Sequence, residues 1–408
     1  MKFEFLDKLI EKVNQSFLSD KQKKIFEKTL KNTFTKTISE DENGLYIITG
    51  DIEAMWLRDS TLQVLPLIYV DDIEADYILK KTIERQFFYL DIDPYANAFN
   101  QGPNGRHWAE DDNDLSDWVW ERKYEIDSIA FPFFLLNKYI EKTSDKSLLE
   151  ENLDLIDRLL DQIILEQNHE NSSYYFIRNN DWPNDQLENQ GHGRPTKEIG
   201  LTWSAFRPSD DACYYHYNVP GNILLYLELE NLGNLMEEEG LKSKTLKLAE
   251  TIKDAVYIHA VYTDPDYGDI FAYEVDGFGS KLLIDDANLP NLLSLKYFGL
   301  DDEISKNTRN FVLSEKNPYY YQGKYAKGLG SSHTKEGHVW HIALLTEVLV
   351  TDDIEKKKEI LDIIENTDAG TYLMHEGFDV DNPADFTREF FSWANSMYVL
   401  AVLQMIAD

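Results

Sequence analysis

A single cysteine, Cys213, in 408 residues rules out an intrachain disulfide and any zinc site built on several thiolates. Basic residues are also scarce: 40 Lys and Arg stand against 74 Asp and Glu, a formal net charge of −34. Nucleic acids and anionic membranes are gripped by Lys and Arg that neutralise phosphates, so this balance argues against both as partners. The acidic excess is expected on a solvated surface. No stretch approaches the twenty or so apolar residues of a membrane span. The opening MKFEFLDKLIEKVNQSF is charged and amphipathic and lacks the apolar core of a signal peptide. A cytoplasmic monomer is the expectation. No linker rich in Pro, Gly or Ser, no low-complexity segment and no repeat of fixed period occurs, which argues against a solenoid. GxSxG, P-loop and GxGxxG motifs are missing too, which removes the common serine-nucleophile and nucleotide-binding signatures.

What is present is helical periodicity. Apolar spacing and caps predict helices over 3–14, 21–33, 73–90, 124–142, 147–165, 221–236, 242–258, 289–297, 302–313, 336–350, 353–366 and 387–406. Strand-like pieces are short, at 45–49, 174–178 and 269–273. No βαβ alternation appears, so the fold class is all-α. A chain this long exceeds the usual limit of one core. Two domains are the default at this length, and residues 1–408 make a single domain only as a closed toroid or barrel of repeated elements; the shapes left open are a superhelical bundle and a ring of helix pairs. The motif-bearing loops fall between successive helices, and in a ring they converge at one end.

Those loops combine carboxylates with aromatic rings, a mixture suited to a polyhydroxylated ligand: carboxylates accept from hydroxyls, arginine donates, and rings cover apolar sugar faces. FRPSDDACYYHYNVPGN at 206–222 is the densest. Adjacent Asp210 and Asp211 cannot both be buried and ionised cheaply, so one is the functional carboxyl and the other its support. Cys213 lies among them without a paired base and is expected to be inert. TGDIEAMWLRDST at 49–61 juxtaposes Trp56, Arg58 and Asp59, with a helix beginning near Ser60. NGRHW at 104–108 and VWERKYEIDS at 119–128 add His107, Glu125 and Asp127, although on a helix Glu121, Lys123 and Glu125 read equally well as surface charges. HEGF at 375–378 carries Glu376 in a loop ahead of the last helix. DDNDLSDW at 111–118 lacks the glycine and distal glutamate of an EF-hand loop. Glu336, His338 and His341 fall near helical spacing without an HExxH motif, and no metal or cofactor is expected. His333, in the glycine-rich GLGSSHT, is expected to touch substrate. Glycoside hydrolysis needs two carboxyl groups and little else, and Glu376 with Asp210 or Asp211 could supply them from opposite walls of one pocket.

With these residues in view the chain resembles glycoside hydrolase family 125, the exo-acting α-1,6-mannosidases. The resemblance runs through TGDIEAMWLRDS, VWERKYEIDS, TWSAFRPSDDAC, DDANLPNLLSL, GSSHT, MHEGF and FTREFFSWANS, nearly the whole chain. It implies an (α/α)6 toroid, an inverting, metal-independent mechanism, and an α-mannoside oligosaccharide as substrate. An aspartate of RPSDD, Asp210 or alternatively Asp211, matches the general acid, and Glu376 matches the base that activates water. Arg58, Asp59, Arg207, Asp286, Asn288 and His333 are implied sugar contacts. One departure stands at Glu389 and Phe390, where the family pattern has proline and tryptophan, and it predicts an altered outer rim. An inverting pair requires carboxyls about 6.5–9.5 Å apart and an acid of raised pKa, for which the neighbouring aspartate is the expected cause. A non-catalytic mannose-binding toroid and a histidine-dependent sugar isomerase or epimerase are the competing readings.

Overall fold

The computed structural model describes residues 3–110, 112–180 and 182–407; the first residue of the acidic 111–118 segment, Asp111, lies outside them. Among the described residues there are thirteen α-helices: α1 (Phe5–Asn14), α2 (Asp20–Lys36), α3 (Leu57–Val64), α4 (Ile73–Ile92), α5 (Asp127–Thr143), α6 (Ser147–Glu151), α7 (Leu153–Leu165), α8 (Val219–Leu235), α9 (Glu239–Ala255), α10 (Glu303–Val312), α11 (His341–Val350), α12 (Ile354–Thr367) and α13 (Ser392–Ala407). Side-chain caps start several of them. Ser19 and Gln22 form a reciprocal capping box on α2, and Asp302 and Asp353 accept from first-turn amides of α10 and α12.

The helices form an (α/α)6 toroid. α3, α5, α8, α11 and α13 are the inner elements, and α3 packs on α5, α5 on α8, α11 on α13, and α13 back on α3. Their burial explains their composition: α13 is apolar on nearly every face because it touches neighbours all round. α4, α7, α9, α10, α12 and α2 lie outside, the last packed against α13, so the two ends of the chain close the ring. Ser392 and Ser396 of α13 hydrogen-bond Thr33 of α2 across this seam.

The fourth inner position is where expectation and structure part. Residues 289–297 are not a helix but a series of turns. The Asp285 carboxylate accepts from Leu292 N (2.8 Å) and Leu293 N (2.9 Å), and Asn291 and Ser294 bond each other's backbone amides. Side chains thus take the amides that a helix would have used. The expected strand at 174–178 does not form either.

Three expected helices start late for a shared reason. Before α11, His338–Trp340 pairs with Gly377–Asp379. Before α5, the carbonyl of Tyr124 accepts from Ala205 N and Phe206 N. Before α13, Ser392 N donates to Thr49 O. The segments Met55–Trp56 and Tyr217–Asn218 are also strands that lead directly into α3 and α8. Short extended entries therefore feed the inner helices, and they gather the functional loops at one end of the ring.

Candidate active site

Those entry segments surround a cavity of about 380 Å³ lined by Thr49, Ile52, Trp56, Arg58, Asp59, Pro208, Ser209, Asp210, Asn288, His333, Trp340, Glu376, Arg388, Phe391 and Trp393. Trp340, Phe391 and Trp393 are almost wholly buried and form its floor. It opens into an outer chamber of about 730 Å³, where Trp108, Trp182, Glu121, Lys123 and Asp185 join Ile52, Trp56, Asp210, His333, Glu376 and Arg388. Trp108 and Trp182 are each 53% exposed, unusual for large rings away from a binding surface.

Arg58 organises the inner wall from the first turn of α3. Its Nη1 donates to Glu125 Oε2 (2.7 Å) and Asp127 Oδ2 (3.0 Å), its Nη2 lies 3.9 Å from Asp210 Oδ1, and its Nε lies 3.5 Å from Asp59 Oδ1. The guanidinium also sits 5.4 Å from the centre of the Trp393 ring. Burial works against this cation, and the surrounding carboxylates more than offset it, holding its pKa well above the ordinary arginine value. Burial lifts Asp59 to about 6 despite Arg58 and Arg388. Trp56 Nε1, Arg58 Nε, Asp59 Oδ1 and Trp393 Nε1 are buried without a hydrogen-bond partner. Buried polar atoms are seldom left so, and here they belong to the residues that line the cavity.

The two aspartates of 206–222 have separate positions. Asp210 faces both chambers, its side chain 28% exposed. It sits at φ 66°, a left-handed conformation that aspartate tolerates better than most residues. The turn that presents it is tied by Arg207 N to Asp211 O (2.8 Å) and Asp210 N to Arg207 O (2.9 Å). Lys123 Nζ clamps it from behind, donating to Asp210 O (2.8 Å) and Asp185 Oδ1 (2.7 Å). Asp211 lies beneath the wall, accepting from Asn184 Nδ2 (3.1 Å), Ser332 Oγ and His333 Nδ1 (3.2 Å). Burial alone would lower the His333 pKa, but the bond to Asp211, with the charges of Glu376 and Asp210, raises it to about 9. The ring facing the cavity is an imidazolium at neutral pH.

The expected cause of a raised acid pKa is not found. Burial pushes Asp210 up, yet Lys123, Arg58 and a hydrogen bond from Glu125 outweigh it and hold the carboxyl below its ordinary value. Asp211 turns its charge to His333 instead.

Glu376 follows a tightly held backbone. Met374 N donates to Asn395 Oδ1 (2.9 Å), His375 N to His341 Nδ1 (2.9 Å), and Gly377 N to Thr387 Oγ1 (3.0 Å). Arg388 Nη1 lies 3.8 Å from Glu376 Oε1, and Asp51 and Thr49 hold that arginine in place. His341 is committed to this scaffold; burial first, then His375, depress its pKa to about 3. Gly330 lets the preceding loop pass His338: a Cβ there would meet His338 O at 2.2 Å.

Of the expected site residues, Trp56, Arg58, Asp59, Asp210, Asn288, His333 and Glu376 come together at the cavity. Arg207, Asp211 and Asp286 stand one layer back. Arg207 Nε pairs with Glu274 (2.5 Å), and Asp286 accepts from Asn288 Nδ2 (2.8 Å) and Ser331 Oγ (2.7 Å), orienting the loop. His107 is not a lining residue: its Nδ1 is bonded to Val119 O (2.8 Å), and neighbouring Trp108 reaches the outer chamber instead. Glu389 and Phe390 do not line either chamber, whereas flanking Arg388 and Phe391 do. Burial pushes the Cys213 thiol well up, which keeps it protonated. Sequence reasoning overlooked Arg388, Trp340, Trp393 and Trp182 and left Lys123 as a possible surface charge. Of these, Arg388, Trp393 and Lys123 carried a signal, through their place in FTREFFSWANS and VWERKYEIDS.

Similarities to known proteins agree with this arrangement. Residues 19–403 match the family profile of the metal-independent α-mannosidases, GH125. A meiotically up-regulated gene 157 protein of Schizosaccharomyces pombe is 35% identical, the match covering 98% of this chain and 85% of that protein. A metal-independent α-mannosidase from Streptococcus pneumoniae, solved in a non-productive complex with α-1,6-mannobiose, superimposes with a TM-score of 0.94 at 38% identity, covering 99% of this chain and 97% of that one. A bacterial glucoamylase bound to acarbose shares the fold alone, with a TM-score of 0.56 at 12% identity over 97% of this chain and 57% of that one. The chain therefore belongs to the metal-independent α-mannosidases of family GH125.

Proposed function

We propose that this enzyme removes terminal non-reducing α-1,6-linked mannose with inversion of configuration, Asp210 acting as general acid and Glu376 as general base. The observation that carries the reading is that these two carboxyls, 166 positions apart in sequence, line one cavity whose other walls offer unpartnered donors and acceptors. Asp210 rather than Asp211 fits the acid because it faces both chambers, where the scissile bond would lie between the inner and outer sugars. Glu376 fits the base because it faces the cavity beside Arg388 and its backbone is fixed on both sides. The buried rings of Trp340, Phe391 and Trp393 at the inner end of the cavity support exo action, since they suit a terminal sugar. The exposed rings of Trp108 and Trp182 suit the sugar that departs. The mannobiose complex of the Streptococcus pneumoniae relative supports the linkage. One apolar cluster running from Phe5 to Met405 supports a single catalytic domain.

In this mechanism Asp210 delivers a proton to the glycosidic oxygen while Glu376 takes one from water attacking the opposite face of the anomeric carbon. The isomerase alternative loses one of its two histidines, because His107 is bound to backbone away from the cavity. Proton NMR of α-1,6-mannobiose during turnover tests the proposal. β-Mannose as first product supports it. α-Mannose would indicate retention, and an intact disaccharide would indicate a binding protein.

A further inference from the structure

The general acid of a glycosidase must be protonated before it acts, yet Asp210 sits among three cations, Arg58, Lys123 and His333, that favour its anion. The proton has to be held nearby. Glu125, fully buried behind Asp210 at the entry to α5, is the group in position. Both carboxyls lie against the same guanidinium, Glu125 Oε2 at 2.7 Å from Arg58 Nη1 and Asp210 Oδ1 at 3.9 Å from Arg58 Nη2. That guanidinium brings the two carboxyls side by side, with Asp127 Oδ2 on the same Nη1 at 3.0 Å. Carboxylates crowded onto one cation repel one another, and a proton held by one of them relieves the repulsion. Glu125 Oε1 is buried with no amide, hydroxyl or cationic donor in reach, as a protonated oxygen can be and a carboxylate oxygen seldom is.

We propose that Glu125 and Asp210 form a one-proton carboxyl pair in which Glu125, a positioning residue outside the cavity, holds the proton that Asp210 delivers. This deepens the reading of Asp210 as general acid and rests on it. The surrounding charges fit. Glu125 is faced by Arg58 and Asp127, with the neutral thiol of Cys213 nearby, and Asp210 by Lys123, Arg58, Asp59 and the His333 imidazolium. Burial first, and then Asp210 and Asp127, drive the Glu125 pKa well above the ordinary glutamate value, while Asp210 lies below its own. Such values belong to the pair rather than to either residue. During turnover the proton leaves the pair for the glycosidic oxygen as the C–O bond breaks, and the two carboxylates are left beside Arg58, Lys123 and His333. Glu376 simultaneously gains a proton from water. After product release Glu376 returns its proton to solvent and the pair takes one back, so the cycle closes.

Glu125→Gln is the test, because the amide still donates to Asp210 but cannot give up a proton. The expected result is a fall in kcat/KM on α-1,6-mannobiose of about 10²–10³-fold. On 2,4-dinitrophenyl α-mannoside, whose leaving group needs no proton, the fall should be less than about tenfold. The basic limb of the remaining pH profile should move to lower pH, since Asp210 alone titrates low. A wild-type-minus-E125Q infrared difference spectrum at neutral pH should contain a protonated-carboxyl band. Equal losses on both substrates, no loss on either, an unmoved basic limb, or the lack of that band would each overturn the pair. Asp210→Asn, assayed on the same two substrates, isolates the underlying reading: if it shows no preference for the activated leaving group, Asp210 is not the acid, whatever Glu125 does.

Discussion

Replacing Asp211 with asparagine removes the carboxylate against which His333 is held, and its effect can be worked from the structure. In the native protein the imidazole is lifted from 6.5 to about 9, burial opposing and the Asp211 hydrogen bond and charge favouring the cation. At 1.36 kcal/mol per pKa unit this corresponds to about 3 kcal/mol. The His333 side chain is 35% exposed, and solvent screening reduces the usable part to about 1–2 kcal/mol. Because the folded value lies above the unfolded one, this stabilisation is fully present below pH 6.5 and is lost as pH rises through about 9. Asp211→Asn should therefore flatten the decline of stability between those limits, seen as a smaller drop in Tm from pH 6.5 to 9. NMR titration of ring-labelled histidine should find His333 returned towards 6.5. At pH 7.5 the mutant should lose about 10–100-fold in kcat/KM, chiefly through KM, as one charged donor to substrate becomes neutral. Asp210→Asn should instead lose kcat. An imidazole that still titrates near 9 in Asp211→Asn, or a loss confined to kcat, would refute the division of labour between the two aspartates.

Three further outcomes are expected. Glu376→Gln should lower kcat by about 10²–10⁴-fold with little change in Tm, checked by progress curves on mannobiose beside a thermal melt. Arg58→Met should cost about 3–5 kcal/mol in denaturant unfolding, because it strands Asp127, and the charge shared by Glu125 and Asp210, without their cation. Gly330→Ala should destabilise by about 1–3 kcal/mol, since its new methyl meets the His338 carbonyl and pushes the loop carrying His333; a structure of the variant would show that displacement.

Much of the site was legible in the chain because its residues are chemically conspicuous: acids, arginine and tryptophan clustered in loops between apolar-periodic segments. The toroid came from the family resemblance, since helical periodicity alone left a superhelical bundle open as well. What escaped was long-range. Pairing of 338–340 with 377–379 leaves no local periodicity, so the strand ahead of α11 read as helix. Residues 289–297 have helical apolar spacing, yet Asp285 and Asn291 claim their amides. Glu125 has the spacing of a surface charge and is buried only because Arg58, 67 positions earlier, stands opposite it. Lys123 faces Asp210 for a similar reason.

The seam between α13 and α2 has a consequence for how the site is held together. Glu376, Arg388 and Trp393 lie in α13 or the loop before it, so the cavity is complete only while that helix is docked. Opening the seam would part the proposed acid from the proposed base and end hydrolysis while the rest of the ring still stood.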